Sequence, residues 1–452
     1  MKWFGFRCGM VALSLVATSA VARGGTARRP NVVLILADDM GWTDAGCFGS
    51  DFYQTPHIDR LAAEGVKFTD SYAACHVCSP TRASIMTGKY PARLHLTSYI
   101  PGYRDGLLKS PPWTKFLPLK EVTIAERLAS KGYVCGHFGK WHLNKDKNYR
   151  PGRPGDPGSQ GFDTVLTTVK PRRDAAPKDA HHVRQITDAA IAFMQQNRER
   201  PFFCYVSHNT LHRPVIGSPK LVERYQQHIR HGSSDDNPIY AAMVDELDRS
   251  VGRIMSTLAR LGIVDETLLI FTSDNGGFLG DAKDHGTSNA PLRGGKGTNY
   301  EGGVRVPTII RWPPATKPGT VCHEPIISND FFATLDEVSQ ASGDEPAKKT
   351  WDGVSLLPLL RNPASRLGRD ALFWHFPHYH AQGATPHGAI RLGNWKLIEF
   401  YEDMHVELYD LSHDVGEQHD LARQMPEKAA SLRQRLHQWR EEVGAQMPLR
   451  RD

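Results

Sequence analysis

The 452 residues are 40% hydrophobic and 23% charged, the balance of a globular chain with room for one large domain and a smaller one. A formal net charge of +6 over this length, with no Lys/Arg run and no basic-aromatic interleaving, rules out a nucleic-acid binder. A mildly basic surface suits an anionic substrate.

The N-terminus reads as an export signal over residues 1–22. Lys2 and Arg7 precede an apolar run, and Ala20-Val21-Ala22 is a small-residue cleavage site. The run is too short to span a bilayer, and Cys8 precedes it, so no lipid anchor is expected there. No later stretch would span a membrane. The mature protein is therefore expected to be soluble and periplasmic or secreted, without stable membrane insertion. The later cysteines Cys47, Cys75, Cys78, Cys135, Cys204 and Cys322 show neither a disulfide framework nor a zinc spacing. Cys135 and Cys204 sit in apolar runs and read as buried small hydrophobes.

Residues 31–36 are a continuous apolar run that ends in Asp38 and Asp39, a buried parallel strand with acids at its C-terminal end. Two adjacent acids reach one metal only if the chain turns, and Met40-Gly41 permits a turn. A short helix over 56–64, another over 121–130, a strand over 132–138, a helix over 181–197 and a strand over 201–206 follow. Residues 145–161, polar and rich in Pro and Gly, read as a surface loop. A long helix over 237–261 has Pro238 near its start and Gly262 after its end. Strands over 267–272 and 308–312 and a helix over 330–338 complete the alternation. That order predicts an α/β fold with a large, mostly parallel central sheet sandwiched by helices over residues 30–369. Beyond residue 370, short strands over 388–392, 395–400 and 406–411 and a helix over 426–443 predict a small C-terminal antiparallel sheet-plus-helix subdomain over 370–452.

Residues 75–89 form a loop that turns into a helix. Ser79 is a good cap and Pro80 suits the first turn, so Cys78 is expected at a helix N-terminus with Arg82 one turn further on. Three readings stay open here: a buried structural Cys, a low-pKa thiolate nucleophile, or a modified residue.

Four strands end in polar residues: Asp38 with Asp39, Lys140 with His142, His208 with His212, and Asp274 with Asn275. At one edge of a parallel sheet they would form one site. The oxygen donors Asp38, Asp39, Asp274 and Asn275 suit calcium or magnesium and are wrong for zinc. Asp274-Asn275-Gly276-Gly277 reads equally as a turn, which is compatible with a ligand loop. Arg82, Lys140, Lys296, His142 and His212 would surround an anion and stabilise charge developing on a sulfuryl or phosphoryl group.

Cys78-Ser79-Pro80-Thr81-Arg82, followed by Thr87-Gly88-Lys89, resembles the C-x-P-x-R signature of the type I, formylglycine-dependent sulfatases, members of the alkaline-phosphatase-like superfamily. The other blocks are similar to that family in family order: residues 31–39, 139–142, 272–276, 292–307 and 391–397. The resemblance implies a sulfuric ester hydrolase. In it a maturation enzyme converts Cys78 to formylglycine, and Asp38, Asp39, Asp274, Asn275 and the modified Cys78 bind one calcium ion, magnesium being the lesser choice. It further implies that Arg82, Lys140, His142, His212 and Lys296 contact the aldehyde hydrate or the sulfate. His212 is preferred over His208 because it stands just before x-Pro. In that scheme a hydrate oxygen attacks sulfur, His212 or Lys296 protonates the leaving oxygen, and His142 takes the proton that returns the aldehyde, an exit that Ser or unmodified Cys lacks.

The expected substrate is a sulfated small molecule or saccharide. Residues 374–380, rich in His and aromatics, read either as the lining of a sugar cleft or as a loop packing the two domains together. The alternatives are a phosphate or phosphonate monoester hydrolase on the same fold, and a catalytically inactive sulfated-glycan-binding protein.

Overall fold

Asn31–Ala37 (β1) is apolar along its whole length, and the fold uses both of its faces. In the computed structural model Val32, Leu34 and Leu36 enter one core, and Val33, Ile35 and Ala37 enter another on the opposite side of the sheet. A strand buried on both sides needs no polar alternation, which is why the run is continuous. The structure describes residues 1–3, 5, 29–102, 104–145, 149–230, 236–280, 287–341 and 349–451. The export segment read over residues 1–22 lies outside them, apart from residues 1–3 and 5.

The other strands of the central sheet are Val66–Phe68 (β2), Val134–Gly139 (β3), Thr164–Thr167 (β4), Phe202–Ser207 (β5), Thr267–Ser273 (β6), Thr308–Arg311 (β7) and Thr320–Cys322 (β8). Their order is β8-β2-β7-β6-β1-β5-β3-β4. All neighbours are parallel except at β7, which is antiparallel to both β2 and β6. The mostly parallel sheet expected from the alternation of elements is therefore present, with one reversed strand.

Helices cover both faces. Pro56–Glu64 (α1), Val183–Gln196 (α4) and Pro238–Arg260 (α5) pack on the side of Val33 and Ile35. Cys78–Thr87 (α2), Ile124–Ala129 (α3) and Asp330–Val338 (α6) pack on the side of Val32 and Leu34. Asn237 caps α5 by accepting from the amides of Ile239 and Tyr240. Cys135 and Cys204 are fully buried, and all described cysteines after Cys8 are free. No helix among the described residues is long and apolar enough to cross a membrane.

The start of α1 has no capping side chain of its own. Asp248, on α5, supplies one from across the interface: its Oδ1 accepts from the amides of His57 at 2.9 Å and Ile58 at 2.8 Å. Burial pushes the Asp248 carboxyl up to about 7, against the pull of those two amides. Asp248→Ala is expected to destabilise the fold by about 1–3 kcal/mol, because it orphans two buried donors. Asp248→Asn keeps an acceptor and should lose less. A raised carboxyl pKa contributes stability at acid pH that is lost as pH rises through about 7, so the Asn variant should gain on the wild type between pH 5 and 8. Denaturant titrations across that range would refute the capping role if Ala and Asn lose equally.

Ala371–Phe376 (β9), His387–Leu392 (β10), Trp395–Phe400 (β11) and Val406–Asp410 (β12) form an antiparallel sheet in that order. Pro426–Val443 (α7) packs on it through Leu432, Leu436 and Trp439. The ring of Trp439 stacks on Phe373 with centroids 4.8 Å apart. The same core takes in Tyr72, Tyr90 and Val304 from the large sheet's side, so the two parts share one apolar seam.

That seam corrects the sugar-cleft reading of residues 374–380. Residues 371–376 are a strand, and the segment is buried throughout. Trp374 Nε1 donates to the Ala73 carbonyl at 2.9 Å. His375 lies between the Tyr401 hydroxyl and the Gln446 carbonyl, and His378 bonds Thr97 Oγ1 at 2.8 Å. Trp374, His375 and His378 serve here as amphipathic packing groups whose polar ends find internal partners, which is the packing reading of this segment.

Candidate active site

The four polar clusters lie at the C-terminal ends of β6, β1, β5 and β3, which are adjacent in the sheet. That edge of a parallel sheet is where backbone ends and loops leave room for a ligand. Asp39 has φ +65°, so the turn that brings two successive acids together falls at Asp39 itself and not at Met40-Gly41. Its amide donates to Asp274 Oδ1 at 3.2 Å, and the Met40 amide donates to Ser273 Oγ at 2.9 Å. These bonds to β6 hold a left-handed aspartate in a conformation that would otherwise be unfavourable.

Each buried carboxylate faces a cation. Lys140 Nζ is 2.6 Å from Asp38 Oδ2. Lys296 Nζ is 2.6 and 2.7 Å from the two oxygens of Asp39. Arg82 Nε and Nη2 are each 2.8 Å from Asp274 Oδ2. Asn275 Nδ2 donates to Asp39 Oδ1 at 2.8 Å. Burial would raise the Asp39 carboxyl, but Lys296, with Lys140 behind it, holds it well below the usual carboxylate range. Burial, joined by the charge of Asp38, pushes Asp274 up to about 6 against Arg82 and Lys140.

Cys78 is the first residue of α2 and is 2% exposed. Lys296 Nζ lies 3.6 Å from its sulfur. Burial pushes the thiol up to about 11; Lys140 and Lys296 lower it while Asp274 and Asp38 raise it. An unmodified Cys78 is thus a neutral thiol near pH 7, which disfavours the thiolate-nucleophile reading. The helix begins at Cys78 with Val77 before it, so Ser79 is not the cap. Ser79 Oγ instead accepts from the Ile100 amide at 3.1 Å. The loop is closed by Thr81, whose Oγ1 donates to the Cys75 carbonyl at 2.9 Å and accepts from its amide at 3.2 Å. Pro80 does fall in the first turn.

Arg82 is fully buried and reaches the Lys140 carbonyl at 3.0 Å and the Ser207 hydroxyl. Sequence reading passed over Ser207, although it stands at the same strand-end position as the charged residues. Gly139 makes its approach possible: φ is +116°, and a Cβ there would lie 1.8 Å from the Ser207 carbonyl oxygen. That closeness lets the Lys140 amide bond the same oxygen at 2.7 Å.

The histidines divide. His212 Nδ1 donates to the Arg213 carbonyl at 2.6 Å, which leaves Nε2 bare and 3.9 Å from Asp39 Oδ2. His208 instead meets Ser250 of α5 at 3.1 Å, away from the acids. His142 Nε2 donates to the Ile100 carbonyl at 2.6 Å, so its Nδ1 is bare, and that atom has no hydrogen-bond partner among the described residues. Burial, reinforced by neighbouring lysines, holds both His142 and His212 well below the ordinary histidine range and therefore neutral.

The carboxylate and amide oxygens here fit a hard cation, whereas Cys78 and His212 beside them are softer donors. Asp38, Asp39, Cys78 and His212 offer ligand atoms within 4.8 Å of one another. Asp38 Oδ1 and Asn275 Oδ1 are buried without a hydrogen-bond partner, and both are oxygens. Asp38 Oδ1 has Arg82 Nη2 at 3.8 Å, and oxygen is the donor that calcium takes.

The chain matches the family model described as Sulfatase over residues 30–339, and that described as N-sulphoglucosamine sulphohydrolase, C-terminal, over residues 295–443. Human arylsulfatase A is 33% identical over 92% of this chain and 89% of its own length. Mouse steryl-sulfatase is 31% identical over 85% of this chain and 73% of its own. The solved structure of Ps i-CgsB in complex with k-i-k-neocarrahexaose is 27% identical, covers 91% of this chain and 93% of its own, and superposes with a TM-score of 0.73. With a family model spanning most of its length and a relative 33% identical over 92% of it, the chain belongs to the sulfatase family.

Proposed function

We propose that this sulfatase removes sulfate from a sulfated saccharide, using a formylglycine made from Cys78 by a maturation enzyme, with one calcium ion at the same edge of the sheet. The observation that carries the reading is the position of Cys78: it opens a helix, touches Lys296, and shares a 4.8 Å cluster with Asp38, Asp39 and His212. The saccharide is supported by the neocarrahexaose complex of the related fold. Export to the periplasm or medium belongs to the same reading, as does the division into a catalytic domain over 30–369 and a small subdomain over 370–452.

In this reading Asp38, Asp39, Asp274, Asn275 and the modified Cys78 hold the ion. Ion and aldehyde together supply an activated oxygen nucleophile and a positive contact for sulfate oxygens. The chain's own groups do the rest. Arg82 fixes the start of α2 against Asp274 and Ser207, so residue 78 cannot drift from the acids. Lys140 and Lys296 offer ammonium donors at an anion above Asp38 and Asp39, where low dielectric strengthens each contact. His142, neutral with a bare Nδ1, can accept a proton. His212, neutral with a bare Nε2, can accept one and then pass it on to a leaving oxygen, a role it shares with Lys296.

The ion is testable without turnover. Calcium at about 100 times its dissociation constant should stabilise the fold by roughly 2.7 kcal/mol, because only the folded chain assembles the ligands. Asp274→Asn should remove most of that gain. A melting temperature indifferent to calcium in the wild type would sink the calcium assignment.

A further inference from the structure

Each inner cation faces an acid: Lys140 meets Asp38, Lys296 meets Asp39, and Arg82 meets Asp274 with a longer contact to Asp38 at 3.8 Å. Two further cations have no such partner among the described residues. No carboxylate of a described residue lies within ion-pairing distance of Lys170 or Arg213. Both positions are built. Thr168, just past β4, donates its amide to the Gly139 carbonyl at 2.9 Å, and its Oγ1 accepts from Asn209 Nδ2 at 2.6 Å. The chain therefore leaves the sheet edge beside Lys140, pinned on two sides, and Lys170 follows two residues on. Arg213 follows His212 directly, and its guanidinium lies 4.7 Å from the centre of the Phe278 ring.

Lys170 is exposed along its length, yet its ammonium is partly desolvated. That desolvation first, then the charges of Lys296 and Lys140 with a smaller push from Arg213, hold it below the ordinary lysine range, Asp38 opposing. Lys170 in turn contributes to keeping His212 neutral. The backbone sets Lys170 two residues past the Thr168 anchor at the strand end that carries Lys140, and Arg213 next to His212. A cationic pair beyond the inner lysines and arginine is not needed by a single sulfate group and would repel a substrate of positive charge.

We propose that Lys170 and Arg213 form a subsite for a second anionic group, a carboxylate or another sulfate, on the organic part of the substrate. The inference rests on the sulfatase reading above. Its test compares three matched saccharides: one with a single sulfate, one with an added sulfate, and one with an added carboxylate. Wild type should prefer a doubly anionic member by about 10-fold in kcat/KM, through KM, and the preference should shrink with rising salt. Lys170→Ala and Arg213→Ala should bring the ratio towards one, and Lys170→Arg should restore it. The arm that responds identifies the group. A ratio unchanged in both variants, or an equal fall on all three substrates, overturns the subsite. Turnover by wild type without preference overturns the subsite alone, whereas no turnover of any sulfate removes the sulfatase reading and the subsite with it.

Discussion

Cys78→Ala is expected to lower turnover of an aryl sulfate by about 10⁴-fold or more, the scale of loss when a covalent nucleophile is deleted. The same change should barely move thermal unfolding. It truncates one small buried side chain, a loss on the order of 1 kcal/mol, and leaves the Thr81 clasp and the Arg82 ion pair in place. Cys78→Ser is the sharper variant. It keeps a hydroxyl beside Lys296 but no thiol for the maturation enzyme, so it should be as inactive as the alanine. Full activity of either variant would refute the modified-residue reading. Mass spectrometry of the peptide containing Cys78 provides the independent readout, since an intact thiol in active wild type would do the same.

The second large effect lies outside the candidate site. Lys396 on β11 is fully buried, 2.9 Å from Glu301 Oε1 and 2.9 Å from Glu417 Oε1. Glu417 in turn accepts from the Glu301 amide at 2.6 Å. Burial would raise Glu301, but Lys396, Arg305 and Arg391 hold it down at about 2. Glu417, buried and facing Glu301, stays up at about 7 despite the lysine. Lys396→Met therefore leaves two buried carboxylates with one central cation fewer, a loss of about 3–5 kcal/mol. The pH dependence has a definite sign. Without Lys396 the Glu417 carboxyl rises further above its ordinary value, and a raised carboxyl stabilises at low pH and loses that contribution as pH rises. The variant should thus be impaired evenly from pH 5 to about 7, where Glu417 is protonated in both proteins, and progressively more as pH rises above it, measured by denaturant unfolding at fixed ionic strength. A difference that stays flat above about pH 7 as well would show that the lysine only fills space.

Lys396 also illustrates what patterning cannot reach. Alternation along residues 395–400 identifies a strand, but a lysine in it reads as solvent-facing until the loop carrying Glu301 is docked on it. The same holds for residues 374–380, where His and aromatic residues suit an open cleft or a packed seam equally well until Ala73, Thr97 and Gln446 arrive from distant parts of the chain. Ser79 was a sound cap by type, yet Thr81 reaches back to Cys75 and starts the helix earlier. The turn at Asp39 depends on bonds to β6, more than two hundred residues away.

What the sequence by itself determined was the set of strands and what ends them. Runs buried on both faces must be continuously apolar, so their limits stand out, and the acids and cations that follow are conspicuous against them. It also carried the resemblance that pointed to Cys78. What only the tertiary structure decided was pairing: which lysine neutralises which aspartate, and that Ser207 belongs to the neighbourhood at all. Coulomb and hydrogen-bond energies depend on separations of a few ångströms between residues far apart in the chain, and those separations are set by the order and register of β6, β1, β5 and β3.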